Sequence, residues 1–449
     1  MFAYNLELAL HGLRRFPRST LLVVLTVALG LAACMTTLTL LHVLSADPLP
    51  GRSQHLYLAW VDTVLAKPKG NGSTDMALDG ISYSQGYERI KLADAQALLA
   101  AHRAPRQVVV TDMIADIVSE DGKYAQNQQL ILATSADFIP MFGVSLRYGR
   151  NWTATEDAAH APVAVIDTDL ARELFGTADA VGRGVRLNHT VFRVVGVIVP
   201  YAPQPRFYGL NFGAYSSDGG EGLYLPYTAA LDAGLTPPDA DACDAAYQDA
   251  HHGMSGDPKH CASLNVWVQL DTPHQVTDYR RFLQNYVEQQ KALAGFGKPA
   301  RSTLTDVADW LKRNDAVPDS ARLNVWLAAS FLLLCMFNVV GLLSARFLRQ
   351  SVEVGIRRAL GAPRHAIFLR HVLEAGLACL VGGVLALPLT LLGLWVLRQQ
   401  GDEFSGLVRL DPTMFGALFA LALAVGVLVG LVPAWRVSRV EPGLQVKSE

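Results

Sequence analysis

The chain has 449 residues, of which 51% are hydrophobic and only 17% are charged, and its formal net charge at pH 7 is −2. Soluble globular domains carry about 25% charged residues, so this composition excludes a chain that is soluble throughout or intrinsically disordered. The near-zero net charge offers no electrostatic attraction for the phosphate backbone, and we expect no nucleic acid partner.

The hydrophobic residues concentrate in four blocks of 19 to 25 residues that contain no Asp, Glu, Lys or Arg. An α-helix needs about 20 apolar residues to cross the hydrocarbon core of a bilayer. Backbone polar groups must be satisfied inside such a segment, so each block predicts a transmembrane helix. The four blocks are residues 20–44, 325–343, 376–397 and 413–432.

The first block also has features of a signal peptide. Arg14, Arg15 and Arg18 precede it, and residues 31–34 resemble a lipoprotein cleavage site. A signal peptide has an apolar core of about 7–15 residues. This block is longer, and it continues without a charge for ten residues after Cys34. We therefore expect an uncleaved membrane anchor.

Charges in the flanking segments predict the topology. Residues 1–19, 344–375 and 433–449 together contain 12 basic and 5 acidic residues, whereas 45–324 contains 24 basic and 32 acidic residues and 398–412 contains two and three. Basic residues near the ends of spans mark the cytoplasmic side. The pattern predicts a multi-pass membrane protein with both termini and the segment 344–375 on the cytoplasmic side and the 280-residue segment on the outer side.

The predicted fold class is a membrane protein with four transmembrane α-helices and a large α+β external domain inserted between the first and the second. The predicted segments are an N-terminal interfacial helix (1–19), the first span (20–44), the external domain (45–324), the second span (325–343), a cytoplasmic loop (344–375), the third span (376–397), a short external loop (398–412), the fourth span (413–432) and a cytoplasmic tail (433–449).

Within the large domain, helical and alternating patterns follow one another along the chain, which indicates α+β subdomains of βαβ type. Residues 201–262 are rich in Gly, Pro, Asp and aromatic residues and read as an insertion of long loops. Residues 300–324 predict a helical stalk that is broken near Pro318. The other predicted elements are a helix over 84–102, strands over 107–119 and 129–134, a helix over 135–142, a strand over 162–166, a helix over 167–175, a hairpin over 185–199 that turns at Asn188 and His189, a strand over 264–270 and a helix over 275–294.

Cysteines and histidines of the large domain suggest a disulfide rather than a metal site. Cys243 and Cys261 are the two cysteines of this domain, 18 residues apart. Two cysteines in an oxidising compartment can pair, and we expect a disulfide. His251, His252 and His260 lie nearby, but the segment has no ligand spacing such as C-x-x-C, so no metal site is predicted.

The predicted cytoplasmic loop has the most informative pattern of the chain, SARFLRQSVEVGIRRALGAPRHAIFLRHVLEA over 344–375. Apolar residues recur at helical spacing on one face, arginines occupy the other faces, and Gly361 and Pro363 end the helix. A short amphipathic helix at the inner membrane surface follows from this pattern. Charge and amphipathicity leave open whether membrane lipids or a protein contact the helix.

This loop resembles a signature of the MacB/FtsX-type ABC transporter permeases. The resembling stretches are VEVGIRRALGAPR followed by Glu374 and Ala375, PAWRVSRVEP at 433–442, TSADFIPMFGVSLRYGRNWTATED at 134–157 and VAVIDTDLARELFGTADAVGRGVRLNHTVFRVVGV at 163–197. Each stretch alone is degenerate. The four occur in the family's order over nearly the whole chain, together with the expected topology.

The resemblance implies a protein of the bacterial inner membrane with the large α+β domain in the periplasm. It also implies that the loop docks on a cytoplasmic ABC ATPase through a coupling helix. Two permease copies, or a permease and a paralogue, would act with two ATPases, and a periplasmic adaptor with an outer-membrane channel is a further possible partner. The implied function is mechanotransmission for efflux of a drug, peptide or lipid-linked substrate, or alternatively for regulation of a cell-envelope partner without transport. The implied coupling residues are Val352, Glu353, Gly355, Ile356, Arg357, Arg358, Leu360, Gly361 and Ala362.

The sequence itself predicts no catalytic residue. A phosphate-binding loop of the form G-x-x-x-x-G-K-[ST] does not occur, because the segment 176–182 has five residues between its glycines and continues with Arg183. No G-x-S-x-G nucleophile motif occurs either. We therefore expect a non-enzymatic chain without a cofactor of its own, with ATP and Mg²⁺ bound by a separate ATPase subunit.

Overall fold

A computed structural model describes residues 17–64, 88–120, 122–209, 221–244, 247, 257–294, 301–314, 316–317, 319–349, 354–356, 363–399 and 412–438. Its internal contacts divide the chain into two compact units. One unit is Ala46–Ala316, and the other combines Met1–Ser45 with Val317–Glu449. The units are called the large domain and the helix bundle below.

The helices, in chain order, are α1 (Pro17–Leu44), α2 (Leu92–Ala100), α3 (Phe138–Phe142), α4 (Ala154–Ala158), α5 (Thr168–Phe175), α6 (Tyr227–Asp232), α7 (Pro273–Ala294), α8 (Val307–Arg313), α9 (Asp319–Arg349), α10 (Arg364–Gln399) and α11 (Pro412–Ser438). The strands are β1 (Leu56–Val61), β2 (Arg106–Ser119), β3 (Ala125–Thr134), β4 (Leu146–Gly149), β5 (Val163–Asp167), β6 (Gly184–Leu187), β7 (Thr190–Ile198), β8 (Leu223–Pro226), β9 (Ala242–Cys243), β10 (Cys261–Ala262), β11 (Asn265–Gln269) and β12 (Ser302–Asp306).

The large domain is built on one mixed sheet, ten-stranded over the described residues, in the order β12-β1-β11-β2-β3-β8-β5-β7-β4, with β6 paired to β2 and β7. Two pairings, β3 with β8 and β5 with β7, are parallel, and the other pairings in the sheet are antiparallel. The predicted hairpin over 185–199 is confirmed, because β6 and β7 pair across the turn at Asn188 and His189. A mostly antiparallel sheet with packed helices agrees with the predicted α+β class.

The sheet separates two apolar cores, since successive side chains of a strand point to opposite faces. One core packs the sheet against α2, α5, α6 and α7. The other core is aromatic and packs the sheet against α3, α8 and the loop after β7. The largest side chains of this second core are Phe138, Phe142, Trp152, Phe207, Tyr208, Tyr224, Trp267 and Trp310.

Three sequence interpretations of the large domain were wrong in part. The segment 201–262 is not only an insertion of loops, because β8 lies in the middle of the sheet between β3 and β5. The segment 300–324 does not begin as a helical stalk, because Ser302–Asp306 form β12 and pair with β1. The helix predicted over 84–102 begins at Leu92, since Ile90 forms a β-bridge with Leu264. Each short strand has too few residues to show a periodic pattern.

The helix bundle consists of α1, α9, α10 and α11, and each of these helices is long and apolar enough to cross a membrane. Helix α1 packs against α9 and α10, and α11 packs against the same two helices. With 36 residues, α10 is about 54 Å long. A hydrocarbon core is about 30 Å thick, so α10 extends beyond it.

Glycines allow close approach between α10 and α11. A Cβ atom built on Gly430 would lie 2.8 Å from Cβ of Ala375, and one on Gly426 would lie 3.0 Å from Cα of Gly376. Gly426 and Gly430 are four residues apart and therefore share one face of α11. Small residues at this spacing are typical of helix contacts in membranes, where packing rather than the hydrophobic effect drives association.

Candidate functional site at the end of the helix bundle

The predicted docking segment lies between the last residue of α9 and the first residue of α10. The structure describes two of the nine predicted coupling residues, Gly355 and Ile356. The remaining seven, Val352, Glu353, Arg357, Arg358, Leu360, Gly361 and Ala362, lie outside the described residues.

Three described residues of this segment, 354–356, are helical and amphipathic. Val354 is only 4% exposed and belongs to the apolar core of the bundle, together with Phe347 of α9 and Ile367 of α10. Ile356 is 58% exposed. One side of the segment is therefore anchored on the bundle, and the other side presents the apolar side chain of Ile356 outward.

A buried polar cluster lies next to this anchor. The guanidinium of Arg346 on α9 forms an ion pair with the Glu374 carboxylate on α10. Nη1 of Arg346 also donates a hydrogen bond of 3.0 Å to Oγ1 of Thr20 on α1. Nδ1 of His371 lies 3.7 Å from Oε2 of Glu374, and the His371 ring lies 4.3 Å from the ring of Phe347. The cluster therefore joins three helices of the bundle.

Burial makes this cluster unusual. The side chains of Arg346, Glu374 and His371 are 4%, 1% and 1% exposed. Ions removed from water lose several kcal/mol of solvation each, and their attraction repays this only with good geometry. From the sequence, Arg346 was only a flanking charge of the predicted loop and Glu374 only a part of the family signature, and the pairing of the two was not predicted. The i, i+3 spacing of His371 and Glu374 within an apolar helical pattern was the available signal.

A second buried polar cluster lies in the large domain. The guanidinium of Arg206, in the loop after β7, forms ion pairs with Asp112 on β2 and with Glu221 just before β8. The hydroxyl of Tyr208 donates a hydrogen bond of 2.8 Å to Oε2 of Glu221. Oδ2 of Asp112 accepts no hydrogen bond from the described residues. Two buried carboxylates thus share one guanidinium.

The electrostatics of this second cluster follow from its charge count. The pKa of Asp112 is raised to about 6, because burial and the nearby carboxylate of Glu221 raise it by more than the guanidinium of Arg206 lowers it. Burial also raises the pKa of Tyr208 well above its ordinary value. The network connects the ends of 201–209 and 221–226 to the centre of the sheet, and its members were not predicted from the sequence.

The loop around the two cysteines is held by charges and by a disulfide. Cys243 and Cys261 are bonded and lie opposite each other in the antiparallel pair β9–β10. Arg89 forms ion pairs with Asp239 and Asp241. His260 stacks on Tyr247 with ring centroids 4.8 Å apart, while His251 and His252 lie outside the described residues. This arrangement fixes the loop against the chain segment before α2.

Two family models match the chain. The MacB-like periplasmic core domain matches residues 20–285, and the FtsX-like permease C-terminal domain matches residues 325–442. Together the matches cover most of the large domain, up to residue 285, and residues 20–44 and 325–442 of the bundle. The second match contains the whole segment between α9 and α10.

Several relatives are similar over most of the chain. The macrolide export ATP-binding/permease protein MacB of Agrobacterium fabrum is 23% identical over 351 residues, which are 78% of this chain and 48% of the relative. The protein of the same name from Acinetobacter baylyi is 22% identical over 409 residues, 86% of this chain and 54% of the relative. The chain spans about half the length of the curated relatives it matches.

Solved structures also resemble part of the chain. The periplasmic region of MacB from Actinobacillus actinomycetemcomitans aligns with a TM-score of 0.35 and 17% identity, over 59% of this chain and 93% of that one. The extracellular domain of the noncanonical ABC-type transporter YknZ from Gram-positive bacteria aligns with a TM-score of 0.32 and 11% identity, over 55% of this chain and 99% of that one.

Proposed function

Because the chain belongs to the MacB/FtsX-type ABC transporter permeases, we propose that it is the membrane subunit of an ATP-driven complex that transmits movement of a cytoplasmic ATPase to its periplasmic domain. The family makes it an inner-membrane protein with a periplasmic domain and implies an ABC ATPase as partner. In the proposed orientation both termini and the segment between α9 and α10 lie in the cytoplasm.

The observation that carries this proposal is the position of the ionisable side chains in the helix bundle. Within the described residues of α1, α9, α10 and α11, Asp, Glu, Lys, Arg and His occur only towards the helix ends. Polar and ionisable residues inside the membrane usually mark a path for ions or substrates. The described middle parts of these helices contain no ionisable side chain. This supports a function in which movement is transmitted to the periplasmic domain, and it does not support a polar route for a substrate through the bundle.

ATP hydrolysis is assigned in this proposal to the partner. The relatives are named ATP-binding/permease proteins, and this chain matches the periplasmic core and permease domains of the family. A permease dimer would bind two ATPase subunits, each at one segment between α9 and α10. The exposed Ile356 and the predicted Arg357 and Arg358 would form the contact, and the buried Val354 would fix the segment to the bundle.

The proposed cargo is a drug, a peptide or a lipid-linked molecule that leaves the cell envelope through the periplasmic side. The relatives are named macrolide export proteins, and this name supports a cargo of this chemical class. A deletion strain should accumulate such compounds more than its parent. A cell-envelope defect with unchanged accumulation would instead favour the regulation of a periplasmic partner without transport.

Site-specific crosslinking tests the docking contact. A photocrosslinking amino acid in place of Ile356 should form an adduct with an ABC ATPase in native membranes, whereas the same substitution at the buried Val354 provides the matched control. Charge reversal of Arg357 and Arg358 to Glu should release the ATPase and leave the large domain folded. Equal adducts at both positions, or unchanged ATPase stimulation in the charge-reversal variant, would contradict the assignment.

A further inference from the structure

We propose that Arg346 and Glu374 are positioning residues for the coupling of ATP hydrolysis to helix movement. Their buried contacts hold α9 and α10 at a fixed spacing, so that a force on the segment between these helices moves both of them together. This inference rests on the proposed function, since it needs an ATPase that acts on that segment.

The location of the cluster is the first argument. Arg346 lies in the last turn of α9, three residues before its end, and Glu374 lies ten residues after the start of α10. The segment 350–363 connects these two helices along the chain. The ion pair therefore joins the two helices at the end of the bundle where the proposed docking segment enters and leaves.

The packing of the bundle is the second argument. Helices α1 and α11 both pack against α9 and against α10. Direct links between α9 and α10 are formed by the Arg346–Glu374 ion pair and by the contact of the Phe347 and His371 rings. The bond from Arg346 to Thr20 adds α1 to the same cluster. A shift of α10 is thus passed to α9 and α1 through polar groups of fixed geometry.

The energetics of buried ion pairs support the same role. A buried ion pair often adds little stability compared with well-packed apolar residues of similar volume. The loss of one partner, in contrast, leaves an uncompensated buried charge and is strongly destabilising. Such a pair adds little stability as a whole, but the loss of one partner is costly. It is therefore suited to define one arrangement of the two helices.

Paired substitutions separate coupling from stability. The double variant Arg346→Met/Glu374→Leu removes both charges and keeps apolar volume, so it should fold and should still co-purify the ATPase. The charge swap Arg346→Glu/Glu374→Arg restores a pair, and Glu374→Gln removes one charge with almost no change in shape. The matched control is Arg322→Met/Asp319→Leu, which removes an ion pair of the same helix whose side chains are 51% and 87% exposed.

The measurement is ATP turnover of the complex co-purified from native membranes and reconstituted in liposomes, with the ATPase alone as the baseline. The permease-dependent part of kcat is the excess over the ATPase alone. We expect it to fall at least about fivefold in the apolar double variant and in Glu374→Gln. A fivefold fall corresponds to a lost coupling free energy of about 1 kcal/mol. KM for ATP should stay unchanged, the charge swap should recover at least half of the loss, and the control should match the wild type.

The role of the ion pair and the proposed function would be overturned by different results. Wild-type kcat in the apolar double variant or in Glu374→Gln would overturn the inference, and so would an equal loss in the exposed control. If the apolar double variant does not fold, the charge swap decides, because it keeps both charges paired: a kcat as low as that of the ATPase alone would then overturn the inference. Failure of the wild-type chain to co-purify any ATPase would instead overturn the proposed function.

Discussion

Replacing Asp112 by Asn should stabilise the large domain at neutral pH, although the substitution removes a partner of an ion pair. Asp112 and Glu221 share the single guanidinium of Arg206 in a fully buried site. The ionised cluster therefore has one uncompensated negative charge. Asparagine has nearly the shape of a protonated aspartate and leaves Arg206 and Glu221 as a balanced pair.

The magnitude follows from the pKa of Asp112, which burial raises to about 6 from the ordinary value of 3.8. A raised carboxyl pKa means that the folded state binds the proton more tightly than the unfolded state. The corresponding stability is fully present below about pH 4 and is lost as the pH rises through about 6. One pKa unit corresponds to 1.36 kcal/mol, so the loss is on the order of 3 kcal/mol.

Urea unfolding of the full-length chain in detergent tests this prediction, with hydrogen exchange in peptides of β2 as the local probe. At pH 7.5 the variant Asp112→Asn should raise the free energy of unfolding by about 1–3 kcal/mol, and its stability should change less between pH 4 and 6 than that of the wild type. Asp169→Asn serves as the control, because the Asp169 side chain is 68% exposed.

A loss of stability in Asp112→Asn at pH 7.5 would refute this reasoning. It would show that the attraction between Asp112 and Arg206 exceeds the cost of burying the second carboxylate. An unchanged pH dependence would likewise contradict the assignment of the proton to this site.

Three further predictions concern other contacts of the chain. Arg206→Met should lower the free energy of unfolding of the large domain by about 3–5 kcal/mol, because two buried carboxylates lose their counter-charge; a smaller urea midpoint shift than that of an exposed arginine would contradict this. Gly430→Val should destabilise the bundle by about 1–3 kcal/mol through overpacking against α10, whereas Gly341→Val, whose Cβ would meet nothing within 4 Å, should leave the thermal transition in detergent unchanged. Replacing Cys243 and Cys261 by Ala removes a link across 18 residues and should cost about 3 kcal/mol, and a midpoint equal to that of the wild type under oxidising conditions would refute that estimate.

Long, uniform patterns were predictable from the sequence. The four apolar blocks correspond to α1, α9, α10 and α11, because a chain of about 20 uncharged residues leaves few alternatives to a membrane helix. The hairpin of β6 and β7 was predictable as well, since its strands alternate and Asn188 and His189 form the turn. These features depend on neighbours along the chain.

Short strands and buried ion pairs were not predictable in the same way. Strand β8 has four residues, and it is defined by its pairing with the neighbouring β3 and β5 rather than by a periodic sequence pattern. The partners Asp112 and Arg206 are 94 residues apart, and Arg346 and Glu374 are 28 apart. A charged residue in the sequence does not indicate the distant residue with which it forms an ion pair. Both clusters were therefore recognisable only in the folded structure.

Identification of the chains that co-purify with the tagged protein tests the central claim most directly. The protein would be captured from native membranes in mild detergent, and every associated chain would be identified and quantified by mass spectrometry. The account predicts a cytoplasmic ABC ATPase in an approximately equal amount, and untagged copies or a paralogue of the permease. Absence of any ATPase, under conditions that keep a known ABC complex intact, would contradict the account.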